Sequence, residues 1–487
     1  MRWQWALTGL MLSVTVLAVA RGTMAADRTD AVRNPAPGQL RGLWVDAFGP
    51  GMKTPAEIDQ LVADAKRMKL NALFAQVGRR GDCYCNKAAM PRTSDPAVPA
   101  GFDPLEDLIQ KAHAARIQVH AWIITTSIHN AVTPPAQPDH VFNTHGIAKT
   151  GRDNWIMTRF DGLNRAGNDY LLDPGHPDAS DYITRMYTSV VENYDVDGVQ
   201  FDRVRYPDQN EPALQPTWGY NPVALERFAA QTGITERPLP TDPVWMQWRR
   251  DQVTNLVRRV YLEVKRRKPR VWVSAATITY GAGPKDLSAW RGTRTYTEVL
   301  QDWAGWTQEG ILDLNIPMNY KRDFVPDQAA WFDQWNAFAA AQRGSRAVAA
   351  GTAIYLNLPE NSVRQANLSL TRDGLDGWVG YSYRTPDADV NASKSTQAVA
   401  FPALADKLTA AGAPLEKDAT WGDPGVVNAV FGRVLRGSDA GDALEVELAR
   451  RGRDWFDALR PTGTDFTVSS LCPSGRSRCA SSDSRRA

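Results

Sequence analysis

The sequence is poor in the side chains that bind transition metals. It has 4 cysteines and 6 histidines among 487 residues, and the histidines are scattered along the chain. Zinc sites need three or four such ligands at short, regular spacings. Cys83 and Cys85 stand two positions apart, and on an extended chain they pair poorly with each other, whereas Cys472 and Cys479 could close a small loop. We expect no metal and no cofactor.

Net charge and long apolar runs are also scarce. The formal charge is +2 with no basic stretch of consequence, so we expect no nucleic-acid partner. The apolar run 6–20 follows Arg2, and small-residue cleavage sites lie at 18–20 and 23–25. This order is typical of a secretory signal peptide, which we assign to residues 1–25, followed by a polar linker over 26–37. We expect an exported protein, periplasmic or extracellular, with no membrane span once mature.

Aromatic residues, in contrast, are abundant, with 17 tryptophans and 14 tyrosines. A large, well-filled core would account for them. Aromatic faces in a cleft would also serve as stacking platforms for sugar rings. The sequence leaves both interpretations open.

Strand and helix signals alternate regularly over residues 38–412. Apolar runs mark eight strands, and amphipathic segments with capping residues separate them. The predicted strands are 40–48, 71–77, 118–126, 195–202, 270–277, 311–320, 346–356 and 374–384. Eight such repeats predict an α/β fold, a parallel (β/α)8 TIM barrel. A doubly wound open sheet is the alternative, but VGRRG (77–81) is a poor candidate for its phosphate loop.

The pattern changes after residue 422. Period-two alternation between Gly and Asp turns predicts a small antiparallel all-β module over residues 422–473. The Ser- and Arg-rich tail 474–487 is expected to be disordered. The chain is therefore organised as signal peptide, linker, barrel, small β module and tail.

The carboxyl ends of the predicted strands define the candidate site, because in parallel barrels they line the active-site bowl. Asp202 ends strand four directly before Arg203, Arg205 and Tyr206. By the same logic the bowl receives Asp46, Gln76, Arg79, Arg80, Asp82, Trp122, His129, Asn319, Tyr320, Tyr355 and Tyr383. Carboxylates, arginines and aromatics at one face predict a polysaccharide cleft, in which hydrolysis needs two carboxyl groups.

Six segments within residues 38–385 stand in a distinctive order: LRGLWVDAF, NALFAQVGRRGDCYC, VHAWI, LLDPGHPDASDYI, DVDGVQFDRVRYP and DLNIPMNY. Together they resemble the glycosyl-hydrolase-like family 10 barrels, which are exported bacterial proteins. The resemblance implies glycoside hydrolysis of a cell-envelope or extracellular polysaccharide, with peptidoglycan glycan strands as a leading candidate. It also implies that Asp202 is the leading catalytic carboxylate and that the GRRGD and DPGHP segments help to build the cleft. The C-terminal module resembles a carboxypeptidase-regulatory-like repeat.

The sequence departs from this family at the second catalytic group. Many relatives carry an acidic residue where this chain has Arg203, and strand five, VWVSAATITYG, offers no carboxylate. Asp46 and Asp82 are the candidates, with Asp323 behind them. Asp46 is the choice for proton donor, because Trp44 and Phe48 predict apolar surroundings that raise a carboxyl pKa. His176 in DPGHP is expected to shape its loop by hydrogen bonding rather than to act as an acid or base.

Two interpretations of Asp202 follow. In the first, Arg205 and Tyr206 keep it ionised and aimed, and it acts as a nucleophile or stabilises the transition state. In the second, it forms an ion pair with Arg205 or Arg79, and the barrel is a non-catalytic glycan-binding protein. A second carboxyl within about 10 Å of Asp202 across a cleft would favour hydrolysis, and a tight arginine pair would favour binding.

Overall fold

A computed structural model describes residues 38–424 together with the short strands 431–436, 439–440, 447–451, 454–458 and 466–469. The predicted signal peptide (1–25), linker (26–37) and tail (474–487) lie outside the described residues, as do Cys472 and Cys479. Within the described part of the chain, no helix combines the length and apolar character that a membrane crossing requires.

Eight parallel strands close into a barrel. Each strand pairs with the next, and the last pairs with the first, with Leu40 opposite Gly377. The strands are β1 (Leu40–Val45), β2 (Ala72–Gly78), β3 (Gln118–Ile124), β4 (Gly198–Asp202), β5 (Trp272–Ile278), β6 (Leu314–Met318), β7 (Ala347–Ala353) and β8 (Gly377–Tyr381). The predicted (β/α)8 barrel is therefore confirmed, and the open-sheet alternative is wrong.

One helix follows each strand on the outside of the barrel. They are α1 (Pro55–Arg67), α2 (Pro104–Ala114), α3 (Pro177–Asn193), α4 (Pro243–Arg267), α5 (Trp303–Glu309), α6 (Pro326–Gln342), α7 (Pro359–Thr371) and α8 (Gln397–Thr409). Six of them have proline in the first turn, where the missing N–H costs nothing.

Shorter elements lie in the connections. The helices are Val141–His145, Pro222–Thr232, Leu287–Trp290, Arg294–Thr297 and Ala388–Asn391, with 3-10 turns at Gly151–Asp153 and Ile354–Leu356. Strands Ser127–His129 and Tyr170–Leu171 pair as a small antiparallel ribbon in the long connection after β3. These insertions stand mostly at the carboxyl ends of the strands, where they form the walls of the bowl.

Four side chains at the amino-terminal end of the barrel join the strands in pairs. Asn71, Asp197, Asp313 and Asp376 stand directly before β2, β4, β6 and β8. Each accepts a hydrogen bond, 2.8–2.9 Å long, from a backbone N–H of the preceding strand: Arg41, Val119, Val273 and Val348 respectively. The register of four strand pairs is thereby fixed by a side chain as well as by the backbone ladder. We call these four residues the staples.

The segment after α8 closes the same end of the barrel. The indole of Trp421 stacks on Trp272 of β5, with ring centroids 5.0 Å apart. Gly38 pairs with Trp421 as an antiparallel bridge, and Gln118 donates to the carbonyls of Trp421 and Gly422. Residues beyond 412 thus belong to the packing of the barrel itself.

The C-terminal residues contain five described strands. Phe431–Arg436 pairs antiparallel with Asp439–Ala440 and with Phe466–Ser469, and Glu447–Arg451 pairs antiparallel with Asp454–Ala458. Short antiparallel strands agree with the expected β character of residues 422–473. The sandwich-like packing of that module stays a prediction.

The staple before β6 provides a test of this end of the barrel. Asp313 pairs with Lys265 at 2.6 Å, and both side chains are 1% exposed. Asp313→Ala removes the carboxylate that balances the buried Lys265 ammonium and the acceptor of the Val273 N–H, so we expect a loss of about 3–5 kcal/mol in the free energy of unfolding. Chemical denaturation followed by tryptophan fluorescence measures it.

Asp406→Ala is the matched control, because its partner Arg67 lies at the surface, with the two side chains 46% and 62% exposed. That substitution is expected to cost less than about 1 kcal/mol. Equal losses for the two variants would contradict a structural role for the staple.

Candidate active site

Asp202 ends β4 inside the carboxyl end of the barrel, the region we call the bowl. Its Oδ2 accepts a hydrogen bond of 3.1 Å from the Trp122 indole, and its Oδ1 accepts one of 2.7 Å from the Arg203 N–H. The backbone of Arg203 is left-handed, with φ 51°. Among the residues that the structure describes, no arginine or lysine forms an ion pair with Asp202, so the interpretation of Asp202 as an ion-paired tie is wrong.

Burial is the largest influence on the pKa of Asp202. The side chain is almost enclosed, and this desolvation raises its pKa, although Arg203, Arg205 and the indole hydrogen bond act in the opposite direction. The expectation that neighbouring cations lower the pKa of this carboxyl overall is therefore wrong. The Arg203 guanidinium instead pairs with Asp169.

The predicted support from Tyr206 is also wrong. Its side chain is buried away from Asp202, beside the guanidinium of Arg249 at 5.9 Å from the ring centroid. Arg205 does stay close enough to act electrostatically on Asp202, while its own Nη1 donates to the Tyr206 carbonyl at 3.3 Å. Of Arg205 and Tyr206, only Arg205 therefore acts on the Asp202 carboxyl.

Aromatic rings form the floor of the bowl. Tyr320 and Tyr381 stack with centroids 5.5 Å apart, and Tyr355 meets both edge-on at 6.0 and 5.7 Å. Trp44 and Trp122 border Tyr381 at 6.2 and 6.3 Å. Asp202 influences the pKa of Tyr320 and Tyr381, which places both rings next to the carboxyl. Predicted bowl residues Trp122, Tyr320 and Tyr355 do meet there.

The bowl tyrosine of β8 is Tyr381, not the predicted Tyr383. The hydroxyl of Tyr383 donates to Asp64 on α1 at 2.8 Å, and its ring packs against Phe401 on α8. The strand ends at Tyr381, so Tyr383, which was assigned to the bowl because the predicted strand ran to residue 384, lies beyond the carboxyl end of β8. If the predicted strand had ended at residue 381 instead of 384, the sequence would have pointed to Tyr381.

Asp46 lies at the end of β1, but its surroundings are not apolar. The carboxylate pairs with Arg384 at 3.2 Å and accepts the Phe48 N–H at 3.0 Å, and its side chain is 0% exposed. Gln76 lies beside it and accepts the Ala47 N–H at 3.0 Å. The predicted apolar surroundings of Asp46 are therefore wrong, and the donor role that rested on them has no support in the structure.

The loop after β2 carries a network of charges. Asp82 accepts from Thr93 at 2.6 Å and lies 3.7 Å from Arg79. Arg79 also approaches Asp95 at 3.7 Å. This bracing leaves Asp82 as a support for the arginine loop.

Arg80 and Arg203 both approach one carboxylate, that of Asp169, and so join three walls of the bowl. The Arg80 guanidinium lies 3.7 Å from Asp169, which also pairs with Arg203. Asp169 belongs to the long insertion after β3, Arg80 follows β2, and Arg203 follows β4. Three connections therefore meet at one carboxylate on the rim.

Cys83 and Cys85 form a disulfide within the loop after β2, so the expectation that they pair poorly is wrong. Their Cα atoms are 5.0 Å apart, whereas an extended chain separates such residues by about 6.6 Å. The Cys83 N–H donates to the Pro91 carbonyl, and the Thr93 N–H donates to the Cys83 carbonyl, so backbone hydrogen bonds hold Cys83 against residues 91–93. The disulfide constrains the residues next to Asp82.

Three other predicted residues lie outside the bowl or at its edge. The Asn319 side chain donates to Phe332 and Asn336 on α6, and it is wrongly predicted as a sugar contact. His176 is fully buried and bonds the Arg152 carbonyl at 3.0 Å, which agrees with loop shaping rather than sugar contact. His129 bonds the Thr133 carbonyl at 2.8 Å in the insertion after β3.

Asp323, the reserve candidate for the second carboxyl, anchors a loop. Arg364 on α7 binds both of its carboxylate oxygens, and Asn361 donates to one of them at 3.1 Å. Its side chain is 2% exposed. This carboxylate is therefore committed to holding the β6 connection against α7.

Asp208 was missed by the sequence reasoning. It lies six residues after Asp202, and its Oδ2 accepts a 2.7 Å hydrogen bond from Tyr280, which follows β5. The sequence did contain a signal for it, since Asp208 directly follows RYP of the strand-four segment and had been given no role. In the described part of the chain, no group of three His, Cys, Asp or Glu residues is arranged to hold a metal ion.

The family model described as Glycosyl hydrolase-like 10 matches residues 39–371. Glycosyl hydrolase YngK of Bacillus subtilis is 24% identical over 407 residues, which cover 76% of this chain and 74% of YngK. Glycosyl hydrolase DigH of Escherichia coli K12 is 29% identical over 282 residues, 54% of this chain and 57% of DigH. The match to DigH thus spans little more than half of that protein.

Among solved structures, the glycoside hydrolase domain of PgaB (BpsB) from Bordetella bronchiseptica superposes with a TM-score of 0.52 at 16% identity, over 74% of this chain and 99% of that domain. The β-amylase catalytic domain of Paenibacillus polymyxa gives a TM-score of 0.50 at 13% identity, over 70% and 92%. At these identities the likeness concerns the fold. Because the family model covers more than half of the sequence, the chain belongs to the glycosyl hydrolase-like family 10.

Proposed function

We propose that the protein is an exported glycoside hydrolase that cleaves a bacterial cell-envelope or extracellular polysaccharide, with peptidoglycan glycan strands as the leading candidate. One observation carries the proposal: Asp202, which forms no ion pair with any described residue, stands beside a floor of tyrosine and tryptophan rings. Aromatic floors bind the apolar faces of sugars. A carboxyl at that floor can act on the bond between them.

Asp202 is proposed to donate the proton that the leaving sugar needs. Its raised pKa keeps a proton on the carboxyl at higher pH than an exposed aspartate would. When the glycosidic C–O bond breaks, this proton passes to the departing oxygen. The Trp122 indole holds Oδ2 and fixes the direction of the carboxyl.

A non-catalytic glycan-binding barrel is the alternative. It would explain Asp202 as one half of a tight arginine pair, and the nearest guanidinium in sequence, that of Arg203, is engaged by Asp169 instead. Burying a carboxyl without a counter-ion costs free energy. Use of that carboxyl in catalysis is the reason we favour for keeping it.

The rim of the bowl supports an acidic sugar as substrate. Arg80, Arg203 and Arg384 keep side-chain exposures of 28%, 45% and 42% while they pair with carboxylates of the protein. Guanidinium groups bind the carboxylate of a sugar acid with two parallel hydrogen bonds. Such an acid occurs in the glycan strands of peptidoglycan.

Export is proposed on two grounds. The first 25 residues have the order of a signal peptide, and the bowl loop contains the Cys83–Cys85 disulfide. Disulfides persist outside the reducing cytoplasm.

Hydrolysis is tested with a panel of purified bacterial glycans, including peptidoglycan strands freed of peptides, by measuring new reducing ends. We expect the wild type to cleave at least one glycan. Asp202→Asn removes the proton donor with little change of shape, so kcat/KM should fall about 10²- to 10⁴-fold while binding survives.

Asp195→Asn is the control, because Asp195 is exposed and lies three residues before β4, beyond the end of the strand opposite to Asp202. Its rate should equal that of the wild type. Retention of glycan binding without any cleavage by the wild type would support the binding-protein alternative instead.

The pH dependence tests the donor role. A donor is active while protonated, so kcat/KM should fall as the pH rises through the elevated pKa of Asp202. Trp122→Phe removes a hydrogen bond that favours the carboxylate, and the alkaline limb should move up by about half to one pH unit. Trp248→Phe, whose indole binds Gln231 outside the bowl, should leave the limb in place. An unshifted limb in Trp122→Phe contradicts Asp202 as donor.

A further inference from the structure

We propose that Asp208 is the second carboxylate of the reaction, the base that takes a proton from the attacking water, and that Tyr280 positions it. The inference rests on the proposed glycoside hydrolase function. Asp208 supplies the second carboxylate, which strand five does not provide.

The location of Asp208 is the first argument. Barrel hydrolases need two carboxyl groups on either side of the scissile bond, and β5 has none. The Tyr280 hydroxyl, two residues after β5, holds Asp208 Oδ2 at 2.7 Å. A carboxylate from the β4 connection is thereby fixed at the end of the neighbouring strand.

The second argument is that the other candidate carboxylates are already paired with arginines. Asp46, Asp82 and Asp323 each have an arginine within 4 Å, and Asp46 and Asp323 have almost no exposed surface. Asp208 is half-buried, and among the described residues no arginine or lysine forms an ion pair with it. Its side-chain partner on Oδ2 is a neutral phenol rather than a guanidinium, and a carboxylate has further lone pairs that can accept from a water molecule.

The third argument is electrostatic. Arg205 acts on both Asp202 and Asp208, and Arg203 is affected by both carboxyls, so the two acids share one pair of cations. The pKa of Asp208 is lowered: its burial raises the pKa, but Arg205, the Tyr280 hydroxyl and Arg294 together outweigh it. The pKa of Asp202 is raised by burial. Two carboxyls with opposite shifts form a donor and a base.

The step balances without another reactant. Water attacks the anomeric carbon, one of its protons passes to Asp208, and its oxygen forms the new C–O bond. The glycosidic C–O bond breaks, and the departing oxygen takes the proton of Asp202. Proton exchange with solvent then restores both carboxyls, so one glycosidic bond and one water give two sugar ends.

The test compares pH profiles of cleavage on the glycan that the wild type accepts. The base must be ionised, so wild-type kcat/KM should fall as the pH drops through the lowered pKa of Asp208. Asp208→Asn should lose about 10²- to 10⁴-fold in rate. Formate added to Asp208→Ala should restore part of the rate, because it supplies the missing carboxylate.

Tyr280→Phe separates catalysis from structure. It keeps the carboxylate but removes a hydrogen bond that favours its charge, so the acidic limb should move to higher pH by about half to one unit. Tyr383→Phe is the matched control, since its hydroxyl also binds an aspartate, Asp64, but outside the bowl. Its acidic limb should stay in place.

The outcomes distinguish this inference from the function on which it rests. If the wild type and Asp208→Asn cleave glycan equally, with the same acidic limb, Asp208 is not the base although the enzyme is a hydrolase. A rate loss that formate does not relieve, together with an unshifted limb in Tyr280→Phe, also overturns it. If the wild type cleaves nothing, both proposals fall.

Discussion

The barrel depends on the staples at its amino-terminal end. Each staple side chain takes a backbone N–H of the strand before it, and its own carbonyl accepts an N–H from the strand after it in the barrel, as Asp197 does from Trp272. The four residues therefore close a ring of hydrogen bonds around the barrel. A slip by one residue would turn every inward side chain outward. The position of Asp202 at the other end follows from that register.

The chemistry of the bowl follows from competition between burial and charge. Two arginines follow Asp202 in the sequence, yet the enclosed carboxyl is controlled by desolvation. The left-handed backbone at Arg203 lets its N–H cap Asp202 while its guanidinium reaches Asp169. A residue with a positive φ is strained unless its surroundings hold it. The arginine pairing with Asp169 provides such a hold.

Period and capping signals predicted the fold, because strand alternation and helix starts are local properties of the chain. The same reasoning placed Asp202 and Tyr320 in the bowl. It failed where the answer depends on contacts between distant segments. To choose Tyr381 over Tyr383 one needs the residue at which β8 ends, and the role proposed for Asp208 depends on Tyr280, which follows a different strand. Burial, which reversed the expected pKa shift of Asp202, also comes only from the assembled barrel.

The stacking of Trp421 on Trp272 covers the amino-terminal end of the barrel and leaves the carboxyl end open to solvent. Side chains such as Trp44 and Phe74 fill the interior of the barrel, and residues of the chain cover its amino-terminal end, so the site is reached from the carboxyl end. Under the proposed function, a polysaccharide lies across that end, and water, substrate and both products use the same opening. The long connections after β2, β3 and β4 form the walls of the bowl and would therefore set how much of a glycan fits between them.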